Sequence, residues 1–252
     1  MKTTSKPTAL VTGGGRGIGA ATSRALAARG YRVAVNYVSN HEAADQVVKQ
    51  IEAGGGEAFA VRADVYDTRQ AAELLDRSAH DGRLDVLVCN AGARFTPTPL
   101  AGLSWDDFHA KVTNELASVY TLTQRALEVM GAQGGGRIVY VSSAVADGPP
   151  TVGMAAHGTA KAALNTFARF VAYEAGPFGI NVNVVAPGYV RTEASAGLPA
   201  EVQRHLVDRT PLGRVAEPED VAGAIAMLVG PEAGFVTGSV VTVDGGHGMG
   251  RP

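Results

Sequence analysis

The chain has 252 residues, 46% hydrophobic and 18% charged, so it can bury a sizeable core and is not disordered. Its 22 Lys and Arg residues against 24 Asp and Glu residues give a net charge of −2, without the basic excess typical of proteins that bind nucleic acid or anionic membranes. The single cysteine excludes an internal disulfide framework, and we expect neither a signal core nor a membrane span. The composition predicts one cytoplasmic domain over residues 1–252.

Short apolar runs alternate with longer helical runs along the chain. The predicted strands are Thr8–Thr12, Arg32–Tyr37, Ala58–Arg62, Asp85–Asn90, Arg137–Ser142, Asn181–Val185 and Val240–Val243. The predicted helices are Gly17–Arg29, Glu42–Ala53, Thr68–His80, Ser104–Met130, His157–Ala175 and Pro218–Val229. This alternation predicts an α/β fold with a parallel sheet and right-handed crossovers. The segment Tyr189–Arg214 contains several glycines and prolines, and we expect a mobile loop or lid there.

A glycine-rich turn follows the first predicted strand. It reads Gly13-Gly14-Gly15-Arg16-Gly17-Ile18-Gly19 and leads directly into the first predicted helix. Glycine allows a tight turn and a close approach of the backbone to a pyrophosphate, while a helix N-terminus presents N–H donors. This turn therefore predicts dinucleotide binding, and a glycine turn without a ligand is the alternative.

The end of the second predicted strand bears on which dinucleotide is bound. An acidic residue there would accept hydrogen bonds from the adenosine ribose, but Asn36-Tyr37-Val38-Ser39-Asn40 contains none. Arg16 is placed to pair with a 2′-phosphate, and Ser39 and Asn40 are neutral donors. We therefore predict NADPH rather than NADH; the alternative for Arg16 is a solvated surface charge.

Further motifs are spread over the whole chain. They are Asp64-Val65 after the third predicted strand, Asn90-Ala91-Gly92 after the fourth, Asn114 in a long helix, Ser142-Ser143 after the fifth strand, Pro187-Gly188 with Val190 and Thr192, Thr237-Gly238 and Asp244-Gly245-Gly246. Together with the TGxxxGxG pattern of residues 12–19, these motifs resemble the short-chain dehydrogenase/reductase family. Within that family, the chain resembles the acyl-carrier-protein and polyketide ketoreductases.

The resemblance implies a Rossmann-like, doubly wound, seven-stranded parallel sheet with helices on both faces, assembled as a homotetramer or homodimer. It also implies hydride transfer between a nicotinamide and a carbonyl or alcohol carbon. The implied cofactor contacts are Gly13, Gly15, Arg16, Gly17, Ile18, Gly19, Tyr37, Ser39, Asn40, Asp64, Val65, Asn90, Ala91, Gly92, Lys161, Pro187, Gly188, Val190 and Thr192.

The chain departs from the family pattern at one catalytic position. Members of the family carry a tyrosine four residues before the catalytic lysine, and here His157 precedes Lys161 by four. By the same resemblance, Lys161 would hold the nicotinamide ribose, Ser143 would orient the carbonyl and Asn114 would carry a water. Ser142 is the alternative for the serine, because the segment before His157 is one residue longer than usual in the family.

An imidazole changes the proton chemistry of such a site. It is shorter than a phenol, so a bridging water would be needed to reach the same substrate oxygen. Its ordinary pKa of about 6.5 would be lowered further by Lys161 and an oxidised nicotinamide, leaving His157 neutral and a modest proton donor. The alternative for His157 is a packed, catalytically silent helix residue. For Tyr189 an ordinary loop aromatic is the favoured interpretation, and a phenol that partly substitutes is the alternative. The remaining histidines show no metal-ligand spacing, and we predict no metal.

These observations predict an NADPH-dependent reductase of a carbonyl or C=N group, acting with a non-standard acid–base residue. The expected substrate is a small hydrophobic metabolite, because the loops expected to line the pocket contain Phe95, Leu100, Ala194, Ala196 and Leu198. Two alternatives stay open: a non-catalytic NADPH-binding protein, and a non-redox dehydratase or cyclase that uses the same pocket. Besides His157, the candidate catalytic residues are Asn114, Ser143 and Lys161. Their presence favours an enzyme over a protein that only binds NADPH.

Overall fold

The fold is built around one parallel sheet. A computed structural model of the chain describes residues 6–148, 150–193 and 199–249. The strands are β1 (Thr8–Val11), β2 (Arg32–Tyr37), β3 (Glu57–Arg62), β4 (Val86–Cys89), β5 (Gly136–Val141), β6 (Ile180–Pro187) and β7 (Val240–Val243). They pair in the order β3-β2-β1-β4-β5-β6-β7, and every pairing is parallel. The predicted seven-stranded, doubly wound sheet is confirmed.

Helices cover both faces of the sheet. They are α1 (Gly17–Ala28), α2 (His41–Ala53), α3 (Thr68–Ser78), α4 (Trp105–Gln133), α5 (Ala155–Ala175), α6 (Ala200–Asp208) and α7 (Pro218–Leu228). Successive strand residues enter opposite cores: Leu10 packs with α3, α4 and α5, whereas Val11 packs with α1, α2 and α7. Burial on both faces is the reason that these strands are almost continuously apolar.

Helix α6 corrects one expectation, because it lies inside the segment predicted to be an irregular loop. The glycines and prolines of that segment flank residues 200–208 and none lies within them. The helix has only a narrow inward stripe of half-buried side chains, Gln203, Leu206 and Val207, which makes its periodicity weak. Residues 194–198 of the same segment, including Ala194, Ala196 and Leu198, lie outside the described residues.

The parallel sheet places its functional loops at one edge. Chain order reverses between β1 and β4, the two central strands from which the sheet is wound in opposite directions. In sheets of this kind ligands bind in the crevice outside the carboxyl ends of the strands at such a reversal. The loops after β1, β2, β4 and β5 all open onto this edge. No helix among the described residues is long and apolar enough to cross a bilayer.

Candidate active site

The glycine turn after β1 is held in place by Asn36, at the end of β2. The backbone N–H of Gly14 donates to the carbonyl of Asn36 at 2.8 Å, and that of Gly13 donates to its side-chain oxygen at 3.2 Å. The side-chain amide nitrogen of Asn36 donates in turn to the carbonyl of Ala63 at 3.0 Å. A buried amide therefore occupies the strand end where an acidic residue would bind the adenosine ribose, and it stabilises the glycine turn itself.

Close packing requires glycine at the start of α1. A Cβ atom on Gly19 would lie 2.2 Å from the carbonyl oxygen of Gly13, far inside van der Waals contact. Gly17 has a φ of +50°, in the left-handed region that favours glycine. The first turn of α1 thus lies directly against the preceding loop, with its N–H groups at the carboxyl edge of the sheet.

A cavity of about 680 Å³ opens at this edge of the sheet, within the range of cofactor and ligand sites. Its walls come from the loops after β1, β2, β3 and β4, from the segment after β6, and from single turns of α1, α2 and α4. They are formed by Gly13, Gly15, Arg16, Gly17, Ile18, Asn36, Tyr37, Val38, Ser39, Asn40, Ala43, Asp64, Val65, Tyr66, Asn90, Ala91, Gly92, Ala93, Arg94, Asn114, Thr192 and Glu193.

Most of the residues expected to contact a cofactor line this cavity, and five do not. These five are Gly19, Lys161, Pro187, Gly188 and Val190. Gly19 is buried against the glycine turn, and Val190 is buried beside the sheet. At Gly188, a Cβ would lie 2.7 Å from the Cβ of Asp244, so this glycine serves the packing of two chain segments.

Behind the cavity lies a buried cluster of charges: Lys111 and Glu115 from α4, and Lys161 from α5. The Nζ of Lys161 donates to Glu115 Oε1 at 2.5 Å and to the carbonyl of Val141 at 2.7 Å. The Nζ of Lys111 donates to Glu115 Oε2 at 2.5 Å and to the carbonyl of Ala93 at 2.7 Å. The N–H of Ala93 also donates to Glu115 Oε2, at 3.2 Å. One carboxylate therefore joins both ammonium groups to the loop after β4.

The environment of this cluster shifts its proton equilibria. Burial by itself would raise the pKa of Glu115, but the adjacent Lys161 and Lys111 outweigh it and lower that pKa, so the carboxyl group is ionised at neutral pH. Burial lowers the pKa of Lys161, although Glu115 opposes this shift. The cluster as a whole carries one excess positive charge when both amines are protonated.

Sequence reasoning singled out Asn114 and missed its neighbour Glu115. Asn114 is exposed and lines the cavity, whereas Glu115 is 1% exposed and contacts Lys161. The role expected for Asn114 stays a prediction. The sequence did contain a signal for Glu115. Lys111 and Glu115 are two charged residues on the buried face of α4, which is otherwise mainly apolar.

His157 lies at the first turn of α5 and is half-buried. Its ring stacks on that of Phe95, with centroids 4.5 Å apart and planes inclined by 9°. Its Nδ1 is buried without a hydrogen-bond partner among the described residues. Burial, with the charges of Lys111 and Lys161, lowers the pKa of His157 to about 4. The imidazole is therefore neutral at pH 7.

The two serines after β5 have different environments. Ser142 is buried, and its hydroxyl donates to the carbonyl of Lys161 at 3.4 Å. Ser143 is half-buried, and its Oγ accepts a 3.4 Å hydrogen bond from the N–H of Val145. Ser143 is thus the more accessible hydroxyl, which favours it over Ser142 as the serine of the site. Among the described residues, no group of three His, Cys, Asp or Glu side chains is placed to hold a metal ion.

Comparison with known proteins bears on this geometry. Residues 13–248 match the family model described as Enoyl-(Acyl carrier protein) reductase. The chain is 42% identical to the cis-4-hydroxycyclohexanecarboxylate dehydrogenase of Sinomonas cyclohexanicum over 243 residues, covering 95% of each chain. It is 40% identical to the 3-oxoacyl-[acyl-carrier-protein] reductase of a Synechocystis species over 243 residues, covering 96% of each.

Solved structures share the fold over nearly the whole chain. A 7 alpha-hydroxysteroid dehydrogenase complexed with NADH and 7-oxo glycochenodeoxycholic acid superposes with a TM-score of 0.90 at 33% identity, covering 95% of this chain and 93% of the other. A dehydrogenase/reductase from Sinorhizobium meliloti superposes with a TM-score of 0.88 at 36% identity, covering 96% and 94%.

Proposed function

The chain belongs to the short-chain dehydrogenase/reductase family, whose members are oxidoreductases that bind a nicotinamide cofactor, and we propose that this protein is an NADPH-dependent reductase. The reduced group is a carbonyl or C=N bond of a small hydrophobic metabolite. The observation that carries the proposal is the cavity at the reversal of strand order, with Arg16 at its mouth and the Lys161 cluster behind it.

The charge distribution of the cavity supports a phosphorylated nucleotide. Arg16 is exposed, precedes α1 and lines the cavity. Ser39 and Asn40 line it too, and both are exposed. The side-chain oxygen of Asn40 accepts from the N–H of Ala43 at 3.0 Å, so its amide nitrogen keeps its donors for a ligand. A 2′-phosphate would accept hydrogen bonds from these groups and pair with the guanidinium.

The chain's own residues would divide the work of the reduction. A bound nicotinamide nucleotide supplies the hydride. Ser143 donates to the substrate oxygen and orients it, while Lys161 holds the ribose beside the substrate. Neutral His157 donates through an N–H, directly or by a bridging water, as negative charge develops on that oxygen. Because the imidazole of His157 is neutral at pH 7, it has no imidazolium proton to give up. The proton that completes the alcohol or amine therefore comes from water.

The substrate side of the site is aromatic and apolar where it is described. The rings of Phe95 and His157 are stacked face to face, and Leu100 is exposed at the end of the same loop. A stacked aromatic pair beside an exposed leucine suits a ring or an alkyl chain next to the reacting carbonyl. The relatives from Sinomonas and Synechocystis are named for a cyclic hydroxy acid and an oxoacyl group, both compatible with a small oxygenated hydrocarbon.

We also propose a homotetramer in the cytoplasm. The long helices α4 and α5 expose large aromatic side chains: Tyr120, Phe170 and Tyr173. An exposed patch of this kind is typical of an interface. Light scattering of the purified protein tests this assembly, and a monomer at micromolar concentration would contradict it.

Nucleotide titration tests the cofactor assignment. We expect NADPH to bind more tightly than NADH, and Arg16→Met to weaken NADPH binding at least tenfold while leaving NADH binding nearly unchanged. The matched control is Arg69→Met, which removes an exposed arginine of α3 that pairs with Glu73 outside the cavity. Equal affinity of the wild type for both nucleotides would contradict the assignment.

A reduction assay tests the activity itself. NADPH oxidation is followed with a panel of cyclic ketones, oxoacyl thioesters, quinones and imines. Bound NADPH without turnover of any compound, even in His157→Tyr, would instead support a non-catalytic nucleotide-binding protein. Product formed without transfer of deuterium from 4-deuterated NADPH would support a non-redox dehydratase or cyclase.

A further inference from the structure

The chain has five lysines, Lys2, Lys6, Lys49, Lys111 and Lys161, and two of them share one buried carboxylate. The side chains of Lys111, Glu115 and Lys161 are 2%, 1% and 7% exposed. Removing three charges from water is costly, and well-packed apolar side chains of similar volume are often equally or more stable. The cluster is therefore poorly explained as a contribution to stability.

The position of the cluster indicates a role in the site. It connects three functional segments: the loop after β4 through Ala93, the end of β5 through Val141, and α5 through Lys161. A Cβ on Gly92, which lines the cavity, would lie 3.7 Å from Glu115 Oε1 and 4.0 Å from Lys161 Nζ. Gly92 therefore lies both at the cavity wall and next to the carboxylate.

We propose that Glu115 is a positioning residue of the active site, holding Lys161 in place and in its ammonium form, with Lys111 as the second cation that keeps this carboxylate ionised. The proposal rests on the proposed function, in which Lys161 holds the nicotinamide ribose. In this proposal, residues of α4 control the charge of Lys161, whereas Lys161 and His157 themselves lie on α5.

Within the described part of the chain, few charged and titratable groups surround Lys161. Glu115 and Lys111 face it from α4, Cys89 acts on it from β4, and His157 lies one turn away on α5. Tyr66, in the loop after β3, is influenced by Glu115 as well. Cys89 is buried and its pKa is raised to about 12, so the thiol stays neutral at ordinary pH. Among these groups, Glu115 and Lys111 are the charges that control Lys161.

The arrangement predicts that two substitutions one helical turn apart shift the pKa of Lys161 in opposite directions. Glu115→Gln keeps the shape of the side chain but removes its negative charge, so the pKa of Lys161 should fall by at least about one pH unit, a tenfold change in its protonation equilibrium. Lys111→Met removes the competing positive charge, so the same pKa should rise. A purely structural cluster would destabilise the fold in both variants without this reversal.

The experiment is an NMR titration of protein carrying lysine labelled with ¹³C at Cε. With five lysines, the Lys161 signal is assigned from its loss in Lys161→Met. We expect the titration midpoint to move down in Glu115→Gln, up in Lys111→Met, and to stay near the wild-type value in Glu115→Asp, which keeps the charge. The control is Glu73→Gln in the exposed Arg69–Glu73 pair of α3, which has the same four-residue spacing and should leave the midpoint unchanged.

Activity gives a second, separable readout. In any variant that reduces substrate, the alkaline limb of the kcat/KM profile should move with the Lys161 midpoint. A midpoint unaffected by Glu115→Gln, or moved in the same direction by both variants, would overturn the proposal. If Glu115→Gln does not fold, the upward shift in Lys111→Met decides alone. Failure of the wild type to bind NADPH would refute the proposed function, while the NMR titration would still report on the cluster.

Discussion

The imidazole of His157 lies flat against the phenyl ring of Phe95, 4.5 Å between centroids. The Nζ of Lys111 lies 5.3 Å from the centroid of the same phenyl ring. A cation near this stack, together with burial, disfavours a second positive charge on the imidazole. His157 is therefore held as a neutral aromatic ring, and the role proposed for it is hydrogen bonding rather than donation of an imidazolium proton.

Restoring a phenol should accelerate reduction. We expect His157→Tyr to raise kcat by about 10²-fold, because a positioned general acid typically contributes 10²–10⁴-fold. His157→Phe is the control, since it keeps a ring to stack on Phe95 and has no proton to donate. Steady-state NADPH oxidation with the best ketone substrate measures both variants. Equal rates in the tyrosine and phenylalanine variants would show that this position does not deliver a proton.

The neutral His157 also makes stability depend on pH. Its pKa of about 4 in the folded protein lies below the ordinary 6.5, so between these values the unfolded chain binds the proton more readily. The stability from this group is present above pH 6.5 and is lost as the pH falls through 4, by roughly 2–3 kcal/mol. Urea unfolding of wild type and His157→Phe at pH 7 and pH 4 should show the larger loss in wild type. Parallel losses in both proteins would contradict the assignment.

Gly19 should tolerate no side chain. In Gly19→Ala the new Cβ would lie 2.2 Å from the Gly13 carbonyl oxygen and 2.7 Å from Asn90 Nδ2, forcing the glycine turn to move. We expect a loss of about 1–3 kcal/mol in unfolding free energy and at least tenfold weaker NADPH binding. Isothermal titration and urea unfolding measure the two effects.

The control for Gly19 is a second helical glycine with open space around it. A Cβ on Gly223, in α7, would meet no atom within 4 Å. Gly223→Ala should therefore stabilise the protein by about 0.5–1 kcal/mol, because alanine is the better helix former, and should leave nucleotide binding unchanged. Wild-type nucleotide affinity in Gly19→Ala would refute the close approach on which the prediction depends.

Asn36 should not be replaceable by aspartate. Its amide nitrogen donates to the carbonyls of Ala63 and Val61 at 3.0 and 3.3 Å. Asn36→Asp would place a buried carboxylate against these two oxygens, and we expect a loss of about 3 kcal/mol or more. Urea unfolding at pH 7 measures it, with Asn181→Asp as the control, because that half-buried amide donates to two carbonyls near β7. A loss under about 1 kcal/mol would contradict the prediction.

The fold was largely predictable because its signals are local. Continuous apolar runs such as Val86–Cys89 require cover on both faces, and a glycine turn between strand and helix has few alternatives. Helix α6 was missed because its inward stripe is narrow and its flanking prolines and glycines are strong turn signals. The helix Trp105–Gln133 ends beyond its predicted boundary, at Gly134, whose φ of +83° terminates it.

The sequence by itself determined the strands, the helices other than α6, the glycine turn and the histidine four residues before Lys161, because each depends on neighbours in the chain. Only the tertiary structure decided what Lys111 and Glu115 do. Four residues apart on a helix, they have the spacing of an ordinary surface ion pair. Packing of α4 against α5 and the loop after β4 buries them. Lys161, 46 residues further along the chain than Glu115, binds the same carboxylate. Burial and long-range partners are set by the whole fold, and they turn a common pair into the charge that governs the site.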